Sequence, residues 1–167
     1  MPKLTKKSIE ELSRILNVIP KEELDMYWGM YANDCFWRCV AYLNGAGTSE
    51  EAAATYALNY WSSELGSSVA AHAFLDSNGA GMWSDAAIAY VKANSIGHSI
   101  HRLDVDRLSV YMDNSISIGG AWHDVIFEIS TTNDEGVDVW IFFDPQNGKR
   151  YTIPVSELLN GACKTIW

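Results

Sequence analysis

The strongest structural signal in this sequence is a pair of strand-like segments, His123 to Ser130 and Val137 to Phe143. Both are rich in β-branched and aromatic residues, and the turn residues Asn133 to Gly136 lie between them. The pattern predicts an antiparallel hairpin, in which the start of one strand lies beside the end of the next. His123 and Asp144 are therefore expected to be neighbours at the same edge of a sheet.

The rest of the chain divides at Gly97 into a helical part and a sheet part. Helical spacing of apolar residues predicts helices at 4–19, 35–44, 52–65 and 85–93, while 69–75 fits either a short helix or a strand. Strand patterns occupy 99–103, 115–118 and 149–154, followed by a short helix at 155–159 and an edge strand at the end. Helices followed by an antiparallel sheet predict an α+β fold.

Length and composition narrow the function classes. A chain of 167 residues is expected to form one main domain with a sizeable core. The formal net charge of -9 and the lack of a basic patch disfavour nucleic acid as a partner. No apolar run reaches the roughly 18 residues that a membrane span needs. Three cysteines, an odd number, fit free thiols in the cytoplasm better than a disulfide framework.

The first 30 residues are set apart as an N-terminal arm, with the domain proper at 31–167. Residues 4–19 form an amphipathic segment that ends at Pro20. One interpretation is a helix packed on the outside of the domain. The other is a detachable leader or regulatory arm that ends near Gly29, which would allow export.

The sequence around Cys35 places a thiol at the start of a helix. Asn33 and Asp34 precede it, and an apolar run with helical spacing continues to Leu43. Unpaired N–H groups and the helix dipole at such a position favour a thiolate. Cys39 follows one turn later and is expected to project from a similar face as a core residue.

Cys35, His123 and Asp144 together predict a catalytic triad. A cysteine nucleophile needs an imidazole as its base and a carboxylate or amide to orient that imidazole. Asp124 follows His123 directly and so points to the other face of the strand, which excludes it as the orienting acid. Trp37 and Trp122 are candidate walls of the cleft. The histidines His72, His98 and His101 lack the spacing of metal ligands, so neither a metal nor another cofactor is expected.

These motifs resemble the papain-like superfamily of cysteine peptidases, and most closely its bacteriocin-processing (double-glycine) branch. The resemblance covers about residues 30–155 and rests on the motifs Asp34-Cys35 with Cys39, His123 to Ile126, and Asp144 to Gly148. It implies a papain-like fold, with an N-terminal helical half that carries Cys35 packed on a C-terminal antiparallel sheet. The active site would lie between the two halves.

The chain also departs from the pattern of that family. Gly29 stands where the family usually has a glutamine that donates to the oxyanion, and Phe36 stands where a glycine is common. The backbone N–H of Cys35, with Asn33 as a substitute side chain, is the candidate donor here. The segment Asp144 to Gly148 also resembles a motif of papain-fold glutamine-deamidase toxins, which makes Gln146 a candidate contact for substrate.

The sequence therefore predicts a cysteine peptidase that cleaves a peptide bond through a thioester intermediate, with a peptide or protein as substrate. One alternative is a glutamine deamidase or transglutaminase-like effector, because side-chain amides yield to the same chemistry. The other is a papain-like module that binds peptides without cleaving them.

Overall fold

The computed structural model describes residues 34–79, 87–89, 91, 98–112 and 122–166. Helices occupy the first part of this range and an antiparallel sheet the second, so the predicted α+β class is confirmed. The predicted helix at 4–19 and strand at 115–118, together with the arm at 1–30, lie outside the described residues.

Three helices open the described chain: α1 (Cys35–Leu43), α2 (Glu50–Leu65) and α3 (Ser68–Asn78). Residues 87–89 and 91 are also helical. Ser49 caps α2, since its hydroxyl accepts from the backbone N–H of Ala52, and Gly66 ends that helix with a φ of 66°. The ambiguous segment 69–75 belongs to α3. No helix among these residues is both long and apolar enough to cross a membrane.

Five strands form one sheet: β1 (Ile100–Asp104), β2 (Trp122–Thr132), β3 (Asp138–Asp144), β4 (Lys149–Pro154) and β5 (Cys163–Thr165). Their spatial order is β4-β3-β2-β1-β5, and every neighbouring pair is antiparallel. A short helix, α4 (Val155–Leu158), follows β4. The predicted hairpin is present as β2 and β3, and the predicted C-terminal edge strand is β5.

The sheet separates two apolar cores because successive strand residues point to opposite faces. One core, called here the helix-side core, joins the helices to the sheet residues Ile100, Ile126, Phe143 and the neighbouring Ile166. The other, called the far-side core, lies between the sheet, the segment after β1 and α4; its members are Leu103, Val105, Leu108, Met112, Val125, Phe142, Tyr151, Ile153, Leu158 and Ala162. Strand residues that face each core alternate along β1, β2 and β3.

His101 is a polar residue buried at the centre of the far-side face of the sheet, with 4% of its surface exposed. Its Nδ1 lies 3.4 Å from both Cys163 Sγ and Thr165 Oγ1, and its Nε2 lies 3.2 Å from Ser99 Oγ. Aromatic rings surround it, those of Phe127, Trp140 and Phe142. Burial lowers the pKa of His101, because the charged imidazolium would lose its hydration there.

This burial predicts that acid destabilises the protein. Below the ordinary histidine pKa of about 6.5 the unfolded chain takes up a proton that folded His101 resists, so the free energy of unfolding falls as pH falls. One such group accounts for at most about 1.4 kcal/mol per pH unit. Denaturant titrations at several pH values between 7.5 and 5 should show a shallower slope for His101→Phe than for wild type. The exposed His98 provides the control, and His98→Gln should keep the wild-type slope. Equal slopes for wild type and His101→Phe would contradict this account.

Candidate active site

His123 and Asp144 meet at the predicted edge of the hairpin. His123 Nε2 lies 2.9 Å from Asp144 Oδ2, and the two side chains are 5% and 0% exposed. The ring N–H does not point along this line, so the pair is a close polar contact without hydrogen-bond directionality. The expected proximity of these two residues, deduced from the hairpin alone, is confirmed.

Asp144 is held by the turn that follows β3. Its Oδ1 accepts the backbone N–H of Gln146 at 2.8 Å, and its Oδ2 accepts the Tyr151 hydroxyl at 3.3 Å. The backbone N–H of Gly148 donates to the Asp144 carbonyl at 2.9 Å, in a turn where Gly148 has a φ of 71°. The carboxylate is thus fixed from the side of the turn while Oδ2 faces His123.

Cys35 is the first residue of α1, as predicted, and is half-buried. Asp34 precedes it but makes no side-chain cap to the helix. Its carboxylate instead accepts from Arg38 Nε at 2.7 Å. Arg38 also donates to the Thr48 carbonyl at 2.8 Å and pairs with Glu50 at 2.9 Å. This buried arginine ties the start of α1 to the start of α2 and so fixes the position of Cys35.

The sulfur of Cys35 meets β2 at an unpaired stretch of backbone. The Phe127 N–H donates to the Ser99 carbonyl. Phe127 and every second residue from it along β2 therefore point their backbone N–H and C=O groups toward β1. Asp124 therefore turns its N–H and C=O toward β3. The last paired residues are Ile126 and Phe143, and the next matching partner of Asp124 would be Pro145, past the end of β3. A proline has no N–H to offer, so the Asp124 carbonyl has no donor from that strand position.

Two cysteines of α1 lie beside the Asp124 backbone. Cys39 Sγ donates to the Asp124 carbonyl at 3.4 Å. Cys35 lies one helical turn earlier, close enough for the Asp124 backbone to favour its thiolate.

The environment of Cys35 favours the thiol over the thiolate. Burial is the largest cause that raises its pKa well above the usual range, and the Asp124 carboxylate raises it further. The Asp124 N–H and the Arg102 guanidinium act in the opposite direction but do not prevail. The sequence predicted that the helix start would favour a thiolate. In this structure desolvation outweighs that effect.

His123 and Asp124 project from opposite faces of the sheet. Asp124 lies opposite Arg102 and faces the helices, whereas His123 lies opposite Leu103 and faces the far-side core. Accordingly, no hydrogen bond joins Cys35 Sγ to the His123 ring within the described part of the chain. The structure brings His123 to Asp144, and it brings Cys35 to the backbone next to His123, but it leaves the thiol and the imidazole apart.

Asp124 and Arg102 form the charged part of the Cys35 environment. Arg102 Nε and Nη2 donate to the two carboxylate oxygens of Asp124, each at 2.7 Å. Asp124 is 1% exposed, and this two-point contact supplies the cation that a buried carboxylate needs. Sequence reasoning placed Asp124 on the other face from His123 but did not connect it with Cys35. The signal available was the alternation itself, which puts residue 124 on the face that α1 covers.

The remaining predicted site residues are spread over different environments. Trp37 is fully buried in the helix-side core, where its ring contacts Phe36 and Tyr60, so it does not wall an open cleft. Trp122 is 38% exposed, and Lys164 Nζ lies 4.4 Å from its ring centre. Gln146 is exposed and contributes its backbone to Asp144.

Asn33, the proposed oxyanion donor, lies outside the described residues. Metal binding has no support in the described part of the chain, which contains no group of three or more histidine, cysteine or acidic side chains placed to hold an ion.

Comparisons with protein-family models, with curated proteins and with solved structures found no match to this chain. The resemblance to papain-like peptidases therefore depends on the sequence motifs.

The contact between His123 and Asp144 predicts a measurable contribution to stability. Asp144→Ala would remove the oxygen that lies 2.9 Å from the buried His123 Nε2, as well as the acceptor of the Gln146 N–H. We expect a loss of about 1–3 kcal/mol in the free energy of unfolding, measured by denaturant titration. Asp138 is the control, since it is exposed and its carboxylate accepts a hydrogen bond from the Thr132 hydroxyl at 2.9 Å. Asp138→Ala should change stability by less than about 0.5 kcal/mol; an equal loss in both variants would contradict the role assigned to Asp144.

Proposed function

We propose that the protein is a cysteine peptidase of the papain-like kind, with Cys35 as nucleophile, His123 as general acid and base, and Asp144 as the residue that orients His123. The observation that supports this most directly is the contact of His123 Nε2 with Asp144 Oδ2 at 2.9 Å. The next residue of β2, Asp124, lies beside Cys35 at the start of α1. The three residues therefore lie near one end of β2, with the imidazole and the thiol on opposite faces of the sheet.

The proposal requires the imidazole to reach Cys35 around the end of the sheet. His123 is the second residue of β2, and β3 ends at Asp144, so no strand ladder continues past Asp124 on that side. Catalytic hydrogen bonds commonly tighten only when substrate is bound. In the working arrangement Nε2 of His123 stays with Asp144 and Nδ1 faces the sulfur.

The chemistry is acyl transfer in two steps. His123 Nδ1 takes the proton of Cys35, and the sulfur attacks the carbonyl carbon of the substrate. The protonated imidazole then gives its proton to the leaving amine, which leaves a thioester on Cys35. Water, deprotonated by His123, releases the acid product. The Cys35 backbone N–H, at the start of α1 and not capped by Asp34, is the donor we assign to the oxyanion.

A second candidate function is supported by the same structure. The raised pKa of Cys35 and the lack of a hydrogen bond from Cys35 to His123 are what a papain-like module that binds peptides without cleaving them would show. In that case the His123–Asp144 pair is a structural element of the sheet edge. The two candidates make opposite predictions for the fate of a peptide.

A peptide library derived from a digested proteome tests the proposal. Wild-type protein should generate new termini, identified by mass spectrometry, and Cys35→Ala should abolish them. His123→Ala should slow their formation by about 10²-fold or more, the usual contribution of a general base. Cys163→Ala removes a thiol on β5, two strands away from His123 and next to His101, and serves as the control with wild-type activity.

Each other outcome selects an alternative. Conversion of glutamine to glutamate in intact peptides, dependent on Cys35, would favour the deamidase. Retention of peptides with no chemical change, unaffected by Cys35→Ala, would favour the binding module and overturn the peptidase proposal.

A further inference from the structure

The ion pair between Arg102 and Asp124 lies beside Cys35 and has no part in the predicted triad. Asp124 is almost fully buried, and its contact with Arg102 is a two-point contact at 2.7 Å. A salt bridge of the same form occurs farther along β2, where Arg150 Nε and Nη2 donate to Glu128 at 2.8 and 2.9 Å on the exposed part of the sheet. The two pairs differ in exposure: the Arg102–Asp124 pair is largely buried, whereas the Arg150–Glu128 pair is open to solvent.

We propose that Arg102 and Asp124 are the positioning residues of the Cys35 site, which hold the thiol in place and restrain its reactivity in the free protein. The inference rests on the proposed function, since it concerns the same nucleophile. Arg102 fixes the Asp124 side chain on the face that α1 covers. The Asp124 carbonyl accepts a hydrogen bond from Cys39 Sγ at 3.4 Å, and Cys35 lies one turn earlier on the same helix, beside the Asp124 backbone.

The charges around Cys35 have opposing effects. Asp124 on β2 and Asp34 before α1 disfavour a negative sulfur, whereas Arg102 on β1 favours it. Cys39 lies one turn away on α1, and the Asp144 carboxylate contributes to raising the pKa of Cys39. Of these charges Asp124 has the largest effect on Cys35, larger than that of Arg102. The net effect of the ion pair therefore adds to that of burial and favours the thiol form of Cys35.

This arrangement predicts opposite effects for the two partners of one salt bridge. Asp124→Asn keeps the backbone contacts and removes the negative charge, so Cys35 should ionise more easily. Arg102→Gln removes the positive charge, so Cys35 should ionise less easily at pH 9, where an unpaired carboxylate is still charged. A merely structural role would loosen the site in both variants and speed the reaction in both.

The experiment is the rate of iodoacetamide modification of each cysteine, resolved by peptide mass spectrometry on the full-length protein between pH 7 and 9. Asp124→Asn should raise the rate at Cys35 by about threefold to tenfold, because a higher thiolate fraction is partly offset by lower nucleophilicity. Arg102→Gln should lower it. Glu128→Gln and Arg150→Gln, at the matched exposed pair, should leave it within about twofold of wild type.

Cys39 reports whether each variant is folded, since it is fully buried in the native protein. Its modification should remain slow wherever the fold is intact. If either single variant does not fold, the double variant Arg102→Gln/Asp124→Asn removes the uncompensated buried charge. The double variant should react faster at Cys35 than wild type, because the Asp124 effect is the larger one.

Two results would overturn the inference. One is a change of Cys35 reactivity in the same direction for both single variants with Cys39 still protected. The other is a Cys35 rate in the Asp124 variants that matches wild type. Neither result depends on peptide cleavage, because alkylation reads the thiol directly. Failure of the peptidase proposal would appear instead in the peptide-library experiment, as equal rates of new termini for wild type and His123→Ala.

Discussion

The arrangement of this site depends on a short piece of β2 backbone that has no strand partner. β3 ends at Asp144 because Pro145 cannot continue the ladder, and Asp124 is the residue left facing that gap. A buried backbone group without a hydrogen-bond partner costs about 1–3 kcal/mol, so a side chain usually pairs with it where a neighbouring strand does not. In this structure Cys39 of α1 donates to the Asp124 carbonyl, and Cys35 lies beside the same backbone. The same proline that ends the strand also opens the turn that fixes Asp144.

Thiols are weak hydrogen-bond partners, so the contact of Cys39 with the Asp124 carbonyl is a weak one. Burial and the Asp124 carboxylate keep Cys35 protonated, so the nucleophile of the proposed reaction is restrained until its surroundings change. In a chain with a net charge of -9, the nearby cation Arg102 is already committed to Asp124.

Much of this architecture could be predicted from local signals. The strand pattern and turn residues predicted the hairpin and with it the contact of His123 with Asp144, and the polar residues before an apolar run predicted α1 with Cys35 at its start. Segment 69–75 stayed ambiguous because its apolar residues fit both periods; the cap at Ser67, which accepts from Ala70, decides for a helix. Trp37 was expected in a cleft, but an indole next to Phe36 in the first turn of a core helix is better packed inside.

What the sequence could not supply was the position of Cys35 across the sheet. Helix spacing and strand alternation each assign faces within one element, but which strand residue meets the helix start depends on tertiary packing. That packing selects Asp124, and it brings in Arg102 from β1, which no motif connects with Cys35. For the same reason, the ionisation of Cys35 could not be deduced from the helix dipole alone.

The central claim, that Cys35 works with His123 and Asp144, is tested most directly by the structure of the protein alkylated at Cys35 with a peptidyl chloromethyl ketone. The account predicts His123 Nδ1 within hydrogen-bond distance of the modified sulfur while Nε2 remains beside Asp144 Oδ2. A His123 ring that stays opposite Leu103 in the far-side core, with the inhibitor bound on the helix side of the sheet, would contradict it.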